Sequence, residues 1–205
     1  MKILVTGFDA FDGATINPAG EVVNQLPNTI AGVTVVKQII PTIFAESGTV
    51  LHDAIVREQP DFLLNVGQAG GRFGITPERI AINLDDASRA DNAGQQPRNQ
   101  SIQSDGPDAY FTQLPVTEIV ASIKALGIPS MVSTTAGTFV CNHVMYQAQF
   151  MRANEFPFIK AAGFIHIPFL PEQVTDQLSP SMALTDATKG ITAAIQTIVT
   201  HHYDN

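Results

Sequence analysis

The chain contains one cysteine, Cys141, which lies where a predicted strand gives way through an Ala-Gly-Thr turn to a predicted helix. Near a helix N-terminus, the free backbone N–H groups and the helix dipole stabilise a thiolate, which is the reactive form of cysteine. The same N–H groups can stabilise an oxyanion. Free cysteine is also one of the most buried residue types, so this position leaves a nucleophile and an inert core thiol both open.

A nucleophilic cysteine needs a base, and His166 is the best placed of the five histidines. It interrupts the apolar run 163–169, where a polar side chain must have a hydrogen-bond partner. A core histidine bonded to the backbone is the alternative. His143 is two residues from Cys141 and so points to another side of a helix, and we interpret it as structural. The remaining histidines, which we expect to be solvated, are His52, His201 and His202.

The third group of a catalytic triad is a carboxylate that orients the histidine, and Glu78 is the best candidate. It lies between the Gly-rich turn 67–74 and the apolar run 79–83, at an edge of the predicted sheet. A surface charge beside Arg79 is the alternative. The turn lacks the Gly-Lys-Ser/Thr end of a phosphate-binding loop, and the chain has neither paired cysteines nor a His-Glu-x-x-His motif. The sequence therefore predicts neither a metal nor a cofactor.

The elements that must position these residues alternate between strands and helices. The predicted strands are apolar with little polar alternation, as in a sheet that is covered on both faces. They are expected at 2–8, 33–41, 62–66, 79–84, 130–134 and 163–169. Apolar residues at helical spacing occur at 50–55 and 116–126, and a helical run follows Cys141 to about Asn154. The alternation predicts a single-domain α/β fold over 1–205, a three-layer α/β/α sandwich.

Two further segments complete the prediction. The final helix is expected to be capped by Ser181 and to end in a frayed polar tail at 201–205. The polar stretch 85–115 is much longer than a usual connection between elements. We interpret this stretch as a functional loop or an oligomer contact, with a mobile surface excursion as the alternative.

The composition excludes one class of partner. The formal net charge is −8 with only 11 Lys and Arg residues, whereas nucleic-acid affinity comes largely from basic side chains that release counterions. Nucleic acid is therefore not an expected partner. The N-terminal run 1–7 has no small-residue cleavage site and is far shorter than a membrane span, so we expect a soluble, cytoplasmic protein without membrane contact.

Together these segments closely resemble the pyroglutamyl-peptidase I family of cysteine peptidases, also called pyrrolidone-carboxylate peptidases. The resemblance covers most of the chain through several long motifs in the right order. Two of them contain the candidate nucleophile and base: Thr-Ala-Gly-Thr-Phe-Val-Cys-Asn-His at 135–143 and Gly-Phe-Ile-His-Ile-Pro-Phe-Leu-Pro-Glu-Gln at 163–173. The others are Thr-Gly-Phe-Asp at 6–9 with Phe11 and Asn17-Pro18, Gly-Gly-Arg at 70–72, Thr-Pro-Glu-Arg-Ile-Ala-Ile-Asn at 76–83, Asp-Gly-Pro-Asp-Ala-Tyr-Phe at 105–111 and Leu-Pro at 114–115.

The resemblance implies a catalytic triad of Cys141, His166 and Glu78 that removes N-terminal pyroglutamate from peptides through an acyl-enzyme. It also implies a twisted central sheet with helices on both faces, a cytoplasmic location and a homotetramer without metal. Because pyroglutamate is a neutral lactam, a peptide that begins with it offers no free α-amine to bind. Recognition must then come from shape and hydrogen bonds, which makes proline a poor substrate.

The resemblance also implies where that ring would bind. The family's pocket is lined by aromatic side chains that match Phe8, Phe11 and Phe139 in this chain. Backbone groups near Gln68 would bind the lactam N–H and C=O. Taken as residue types alone, the phenylalanines are equally typical of a hydrophobic core.

Two departures from the family pattern bear on the site. The pattern Asp-Pro-Phe-Gly-Gly is here Asp-Ala-Phe-Asp-Gly at 9–13, so Ala10 and Asp12 change the rigidity and the charge of the pocket loop. The pattern Asp-Asp-Ala-Arg-Ile-Pro-Asp-Asn, whose arginine lies close to the oxyanion, is here Asp-Asp-Ala-Ser-Arg-Ala-Asp-Asn at 85–92. Ser88 therefore stands where the family pattern has arginine, and the arginine of this chain, Arg89, comes one position later. If Arg89 cannot reach the site, a Ser88→Arg substitution should raise kcat.

Two other functions stay open for this sequence. One is a catalytically impaired module that binds pyroglutamyl ligands, and the other is a different α/β enzyme, such as an acyl hydrolase or a phosphorylase-like enzyme. The binding module should lack a readily alkylated thiol. The other enzyme should ignore pyroglutamyl amides or depend on phosphate.

Overall fold

A computed structural model describes residues 1–203 of the chain. Its strands are β1 (Lys2–Phe8), β2 (Thr29–Ile30), β3 (Val33–Ile40), β4 (Phe62–Gln68), β5 (Thr76–Pro77), β6 (Ile80–Ile82), β7 (Ala109–Phe111) and β8 (Ala161–Ile167). Its helices are α1 (Pro18–Gln25), α2 (Phe44–Glu58), α3 (Val116–Ala125), α4 (Val140–Asn154) and α5 (Leu184–Tyr203). Six strands form the central sheet in the order β2, β3, β1, β4, β8, β5, and β6 pairs with β7 in a separate two-stranded sheet.

The central sheet is parallel in the middle and antiparallel at both edges. β1 pairs in parallel with β3 and β4, and β4 pairs in parallel with β8, whereas β2 and β5 run antiparallel to their neighbours. The middle strands are buried almost throughout, which explains their apolar sequences. The predicted α/β fold with a mostly parallel sheet is confirmed.

Helices cover both faces of the sheet, so alternate residues of one strand enter different cores. On one face α1, α3 and α5 pack against a cluster that includes Val5, Val66 and Ile165. On the other face α2 and α4 pack against a cluster that includes Leu4 and Phe164. Because side chains alternate along a strand, His166 projects from the same face as Phe164, under α2 and α4.

Some predicted elements differ from the structure. The run 130–134 forms only isolated bridges, Ser130 with Ile75 and Ser133 with Glu78, because the neighbouring strand β5 is two residues long. The run 79–84 contributes only β6, which lies outside the central sheet. Helix α1 was not predicted, although Asn17 caps it by accepting a hydrogen bond from Ala19 N at 3.0 Å.

The end of the chain also differs from prediction. Helix α5 begins at Leu184, three positions after Ser181, which instead bridges to Phe169, so the predicted cap is wrong. The predicted fraying is wrong for 201–203, which are helical, and the ring of His202 packs on Phe62 at a centroid distance of 5.2 Å. The final two residues, 204–205, lie outside the described part of the chain.

The polar stretch 85–115 is fixed to the rest of the molecule by hydrogen bonds. Buried Asp91 accepts from the backbone N–H groups of Phe44, Ala93 and Gln95 at 2.8–2.9 Å. Tyr146 on α4 donates to the carbonyl oxygen of Pro107 at 2.7 Å. The stretch also contains β7, which contacts both β6 and α4. It is therefore an ordered part of the fold.

Candidate active site

Cys141 is the second residue of α4, and its neighbour fixes the start of that helix. Asn142 is 1% exposed, and its side-chain amide donates to the carbonyl oxygens of Ile82 and Leu84 at 2.9 and 3.0 Å. Its side-chain oxygen accepts from the N–H of Ile82 at 3.0 Å. These three bonds tie the first turn of α4 to β6. No role for Asn142 was predicted from the sequence, although its place directly after Cys141 was a usable signal.

The thiol of Cys141 lies over the residue that pairs with His166 in the sheet. Gly67 on β4 is the register partner of His166 on β8. A Cβ atom built on Gly67 would lie 3.1 Å from Cys141 Sγ and 2.6 Å from Cζ of Phe164. Neighbouring strands are about 4.8 Å apart. The structure therefore brings the sulfur to the same patch of the sheet as the imidazole, and only glycine leaves room for it.

The imidazole of His166 contacts the carboxylate of Glu78. The distance from His166 Nδ1 to Glu78 Oε1 is 2.7 Å, and both side chains are buried. Strand β5 runs antiparallel to β8, and the next residue along the chain, Glu78, donates its backbone N–H to Phe164 O at 2.9 Å. Because a carboxylate only accepts, Nδ1 carries the proton and Nε2 is left as a proton acceptor.

Arg72 adds a fourth group to this cluster, and it was not predicted from the sequence. Its Nη1 lies 2.6 Å from Glu78 Oε1 and also donates to the hydroxyl of Thr76. Its Nη2 donates to the carbonyl oxygen of Thr135 at 3.0 Å, in the loop that leads to Cys141. Arg72 thus joins the carboxylate to the segment before α4. The Gly-Gly-Arg motif was the available signal, but a turn alone does not tell where a long side chain will reach.

The environment of the cluster keeps the carboxylate charged and the imidazole neutral. Burial would raise the pKa of Glu78, but hydrogen bonds from His166 and Ser133 and the charges of His166 and Arg72 outweigh it and lower that pKa. Burial lowers the pKa of His166, and the opposing effect of Glu78 does not fully restore it. A neutral imidazole with a free Nε2 is the form that can accept a proton.

The same environment corrects one expectation about the thiol. Burial, followed by the negative charge of Glu78, raises the pKa of Cys141 to about 12, although Arg72 and the backbone N–H at the helix start act in the opposite direction. The effect of the helix N-terminus is therefore outweighed, and this environment favours the protonated thiol. A protonated thiol needs a base in order to attack, and the imidazole of His166 lies on the same patch of the sheet.

The predicted pocket residues fall into two places. Phe11 and Gln68 line a cavity of about 700 Å³, together with Phe169 and Gln173. The ring of Phe139 packs against that of Phe11 at a centroid distance of 6.0 Å, two residues before Cys141. Phe8 is 3% exposed and packs on Phe164, which places it under the site as part of the core.

Gln68 has a fixed side chain at this cavity. Its side-chain oxygen accepts a hydrogen bond from Gln173 Nε2 at 2.9 Å, and Gln173 also accepts from the N–H of Leu170 at 2.9 Å. Arg89, one of the residues that depart from the family pattern, lies at the rim of the same cavity. Its guanidinium donates a hydrogen bond to the carboxylate of Asp12. A larger groove of about 860 Å³ between α3 and α5 contains none of the predicted site residues.

Two properties of the described part of the chain bear on other functions. Within residues 1–203, no helix is long and apolar enough to span a bilayer. The same residues contain no group of three or more His, Cys, Asp and Glu side chains that could hold a metal ion.

Comparison with known proteins gives a consistent result. A model of the pyroglutamyl peptidase family matches residues 1–201. The pyrrolidone-carboxylate peptidase of Levilactobacillus brevis is 59% identical over 205 residues, with all of both chains covered, and that of Lactobacillus johnsonii is 58% identical over 97% of this chain and 93% of the relative.

Solved structures match as well. A crystal structure of pyroglutamyl peptidase I from Bacillus amyloliquefaciens has a TM-score of 0.95 and 46% identity, and the match covers 98% of this chain and 97% of that one. A mutant pyrrolidone carboxyl peptidase from the hyperthermophile Pyrococcus furiosus also has a TM-score of 0.95, at 35% identity over 98% of this chain and 99% of that one.

Proposed function

The chain belongs to the pyroglutamyl peptidase family, a family of cysteine peptidases, and we propose that it hydrolyses the amide bond after an N-terminal pyroglutamyl residue. In this proposal Cys141 is the nucleophile, His166 the general base and acid, and Glu78 the group that orients His166. The observation that carries it is the 2.7 Å contact between His166 Nδ1 and Glu78, since it leaves Nε2 as a proton acceptor on the patch of the sheet over which the thiol lies.

Acylation starts from the neutral pair of thiol and imidazole. As Sγ of Cys141 attacks the carbonyl carbon after the ring, its proton passes to Nε2 of His166, and the positive charge that forms there is stabilised by Glu78. Backbone N–H groups at the start of α4, including that of Cys141, are suited to stabilise the oxyanion. His166 then gives the proton to the departing amine nitrogen, and a pyroglutamyl thioester remains on Cys141.

Deacylation uses the same groups in reverse. His166 removes a proton from water, which attacks the thioester carbonyl, and the thiolate leaves with that proton. The products are free pyroglutamate and the shortened peptide, and no oxidant or metal enters the balance. Arg72 acts as a positioning residue for this cycle, because it holds the carboxylate that Nδ1 of His166 contacts.

Recognition of the ring would use the cavity that Phe11 and Gln68 line. Phe11 and Phe139 supply apolar contacts for the flat lactam, and backbone groups near Gln68 would pair with its N–H and C=O. A site built to bond these groups discriminates strongly against a ring that lacks them, since its own polar groups would then be left unpaired. Prolyl amides should therefore be poor substrates.

We also propose that the protein acts in the cytoplasm as a homotetramer of single peptidase domains spanning 1–205. Exposed apolar side chains support an assembly: Phe73 and Met131, 82% and 64% exposed, line one depression of about 500 Å³. Light scattering on the purified protein tests the assembly. A monomer at micromolar concentration would contradict it.

The activity is tested by release of p-nitroaniline from pyroglutamyl-p-nitroanilide, with prolyl-p-nitroanilide as the control substrate, in chelator and reducing agent without phosphate. The expected result is turnover of the pyroglutamyl compound and a loss of roughly 10⁴-fold or more in the Cys141→Ala variant. A folded wild-type protein that binds pyroglutamyl ligands without turnover would instead support the binding module. Dependence on phosphate would support the phosphorylase-like enzyme.

A further inference from the structure

Two of the positions at which the chain departs from the family pattern, Asp12 and Arg89, contact each other in the structure. Nη1 of Arg89, in the polar stretch, donates to the carboxylate of Asp12, in the loop that carries Phe11. Both side chains line the cavity that also contains Phe11 and Gln68. A new carboxylate and a displaced arginine have thus become partners across the rim of the candidate substrate pocket.

On the Asp12 side, this contact involves the loop that carries Phe11, whose backbone is the less constrained of the two segments. Asp12 and Gly13 have φ angles of 57° and 76°, so the loop turns through two consecutive left-handed residues. Ala10 stands where the family pattern has proline, and a residue without the pyrrolidine ring leaves the backbone more freedom. The ring of Phe11 rests against that of Phe139 at 6.0 Å, so movement of the loop would open the aromatic wall of the pocket.

The polar stretch provides a fixed platform on the other side. The carboxylate of Asp91 is buried and accepts three backbone N–H bonds, one of them from Phe44 at the start of α2. The next residue, Asn92, donates from its side chain to the carbonyl oxygen of Ala10 at 2.8 Å. Arg89 therefore extends from an anchored turn that already touches one end of the Phe11 loop.

We propose that the ion pair of Asp12 and Arg89 clasps the Phe11 loop over the pocket for the pyroglutamyl ring, which makes both residues positioning residues for substrate binding. This inference rests on the proposed function. Because the two side chains are 55% and 56% exposed, dissolved salt screens their attraction.

A double-mutant cycle tests the clasp. Asp12→Asn removes the charge but keeps a side chain that tolerates the left-handed conformation, and Arg89→Gln removes the charge of the partner. Each variant should raise KM for pyroglutamyl-p-nitroanilide by about two- to fivefold and leave kcat within twofold, as is usual for an exposed ion pair. The double variant should be no worse than either single variant, since the second change has nothing left to break.

Ionic strength gives a second readout that a merely structural role would not move. Raising NaCl should increase KM of the wild type toward the value of the variants, while KM of the double variant stays nearly constant by comparison. Arg98→Gln is the matched control, because Arg98 pairs with Asp86 at 3.6 Å in the same polar stretch and is 62% exposed. Its KM and its salt dependence should equal those of the wild type.

The possible outcomes separate this inference from the function on which it rests. No turnover of the pyroglutamyl amide by folded wild type would overturn the proposed function itself. Wild-type turnover with unchanged KM in both single variants would overturn only the clasp. Additive losses in the double variant, or a fall in kcat without a change in KM, would also overturn it, because the residues would then act separately or on the chemical step.

Discussion

Two buried histidine–carboxylate pairs are nearly identical as pairs, although one histidine lies on strand β8 and the other on helix α4. His166 Nδ1 is 2.7 Å from Glu78, and His143 Nδ1 is 2.8 Å from Asp85. The side chains of both pairs are at least 90% buried. Both pairs are also close to Cys141: His166 lies on the patch of the sheet under the thiol, and His143 is two residues along the chain. Distance and burial therefore do not distinguish the pair that we propose as catalytic from the pair that we interpret as structural.

The surroundings of the two pairs differ. The first pair lies next to Gly67, over which the thiol of Cys141 is placed. Its carboxylate also forms an ion pair with Arg72. The second faces the edge of Phe44 at a ring distance of 5.7 Å, and within residues 1–203 no lysine or arginine forms an ion pair with its carboxylate. In our proposal, the nearby thiol and the charge of Arg72 make the first pair the catalytic one. The following experiments test this comparison.

Replacing each histidine with alanine should give the largest difference in kcat between the two pairs. His166→Ala removes the base from a thiol whose pKa is about 12, so kcat should fall by roughly 10⁴-fold or more. His143→Ala should lower kcat by no more than about tenfold, but it leaves Asp85 buried without its partner, which costs about 1–3 kcal/mol of stability. Steady-state kinetics and thermal unfolding of both variants provide the measurement. Equal losses of kcat would contradict the comparison.

Neutralising the two carboxylates gives the next largest contrast. Glu78→Gln keeps the shape but lets the amide donate to His166, which favours the wrong tautomer, so kcat should fall by about 10³- to 10⁴-fold. Asp85→Asn should retain wild-type kcat within a few-fold. The measurement is kcat at saturating substrate with circular dichroism as a control for folding. Retention of activity in Glu78→Gln would refute the orienting role.

Gly67→Ala tests the position of the thiol relative to His166. The added Cβ would lie 3.1 Å from Cys141 Sγ and 2.6 Å from the ring of Phe164, so the sulfur or the ring must shift. A misplacement near 1 Å at a reacting group costs about 10²-fold in rate, and that is the expected loss in kcat. The matched control is Gly32→Ala, at an exposed turn whose added Cβ meets nothing within 4 Å. It should lose some stability, because φ is 79° there, but not activity.

Arg72→Gln should have the smallest effect on rate and a diagnostic effect on pH dependence. After burial, the positive charge of Arg72 is the other influence that lowers the pKa of His166, so its removal should raise that pKa. Because neutral His166 is the active base, the acidic limb of kcat/KM should move to higher pH, with a loss of about tenfold at neutral pH. A pH profile that does not move, or that moves to lower pH, would contradict the effect of Arg72 on the pKa of His166. Arg98→Gln should leave the profile unchanged.

Much of this arrangement could be predicted because it depends on local sequence. The apolar runs at β1, β4 and β8 were visible as buried parallel strands, and the turn before Cys141 placed the thiol at a helix start. His166 stood out as a polar residue in an apolar strand. These features are consequences of side-chain periodicity and turn chemistry, which neighbouring residues determine.

The features that could not be predicted depend on contacts between distant segments. Arg72 reaches the carbonyl oxygen of Thr135 across 63 positions of the chain, and Arg89 meets Asp12 across 77. The raised pKa of Cys141 results from burial by the whole fold, which outweighs the local effect of the helix. Sequence periodicity contains no information about such competition, and the expectation of a thiolate failed for that reason.

The most direct test of the account is covalent labelling by pyroglutamyl chloromethyl ketone, followed by peptide mass spectrometry. This probe needs the ring pocket to bind, the thiol to attack and His166 to accept the proton of the thiol. The account predicts labelling of the wild type at Cys141 alone, at an unchanged rate in His143→Ala and at a greatly reduced rate in His166→Ala, with little labelling by the prolyl analogue. Labelling at another residue, or equal rates in the two histidine variants, would contradict it.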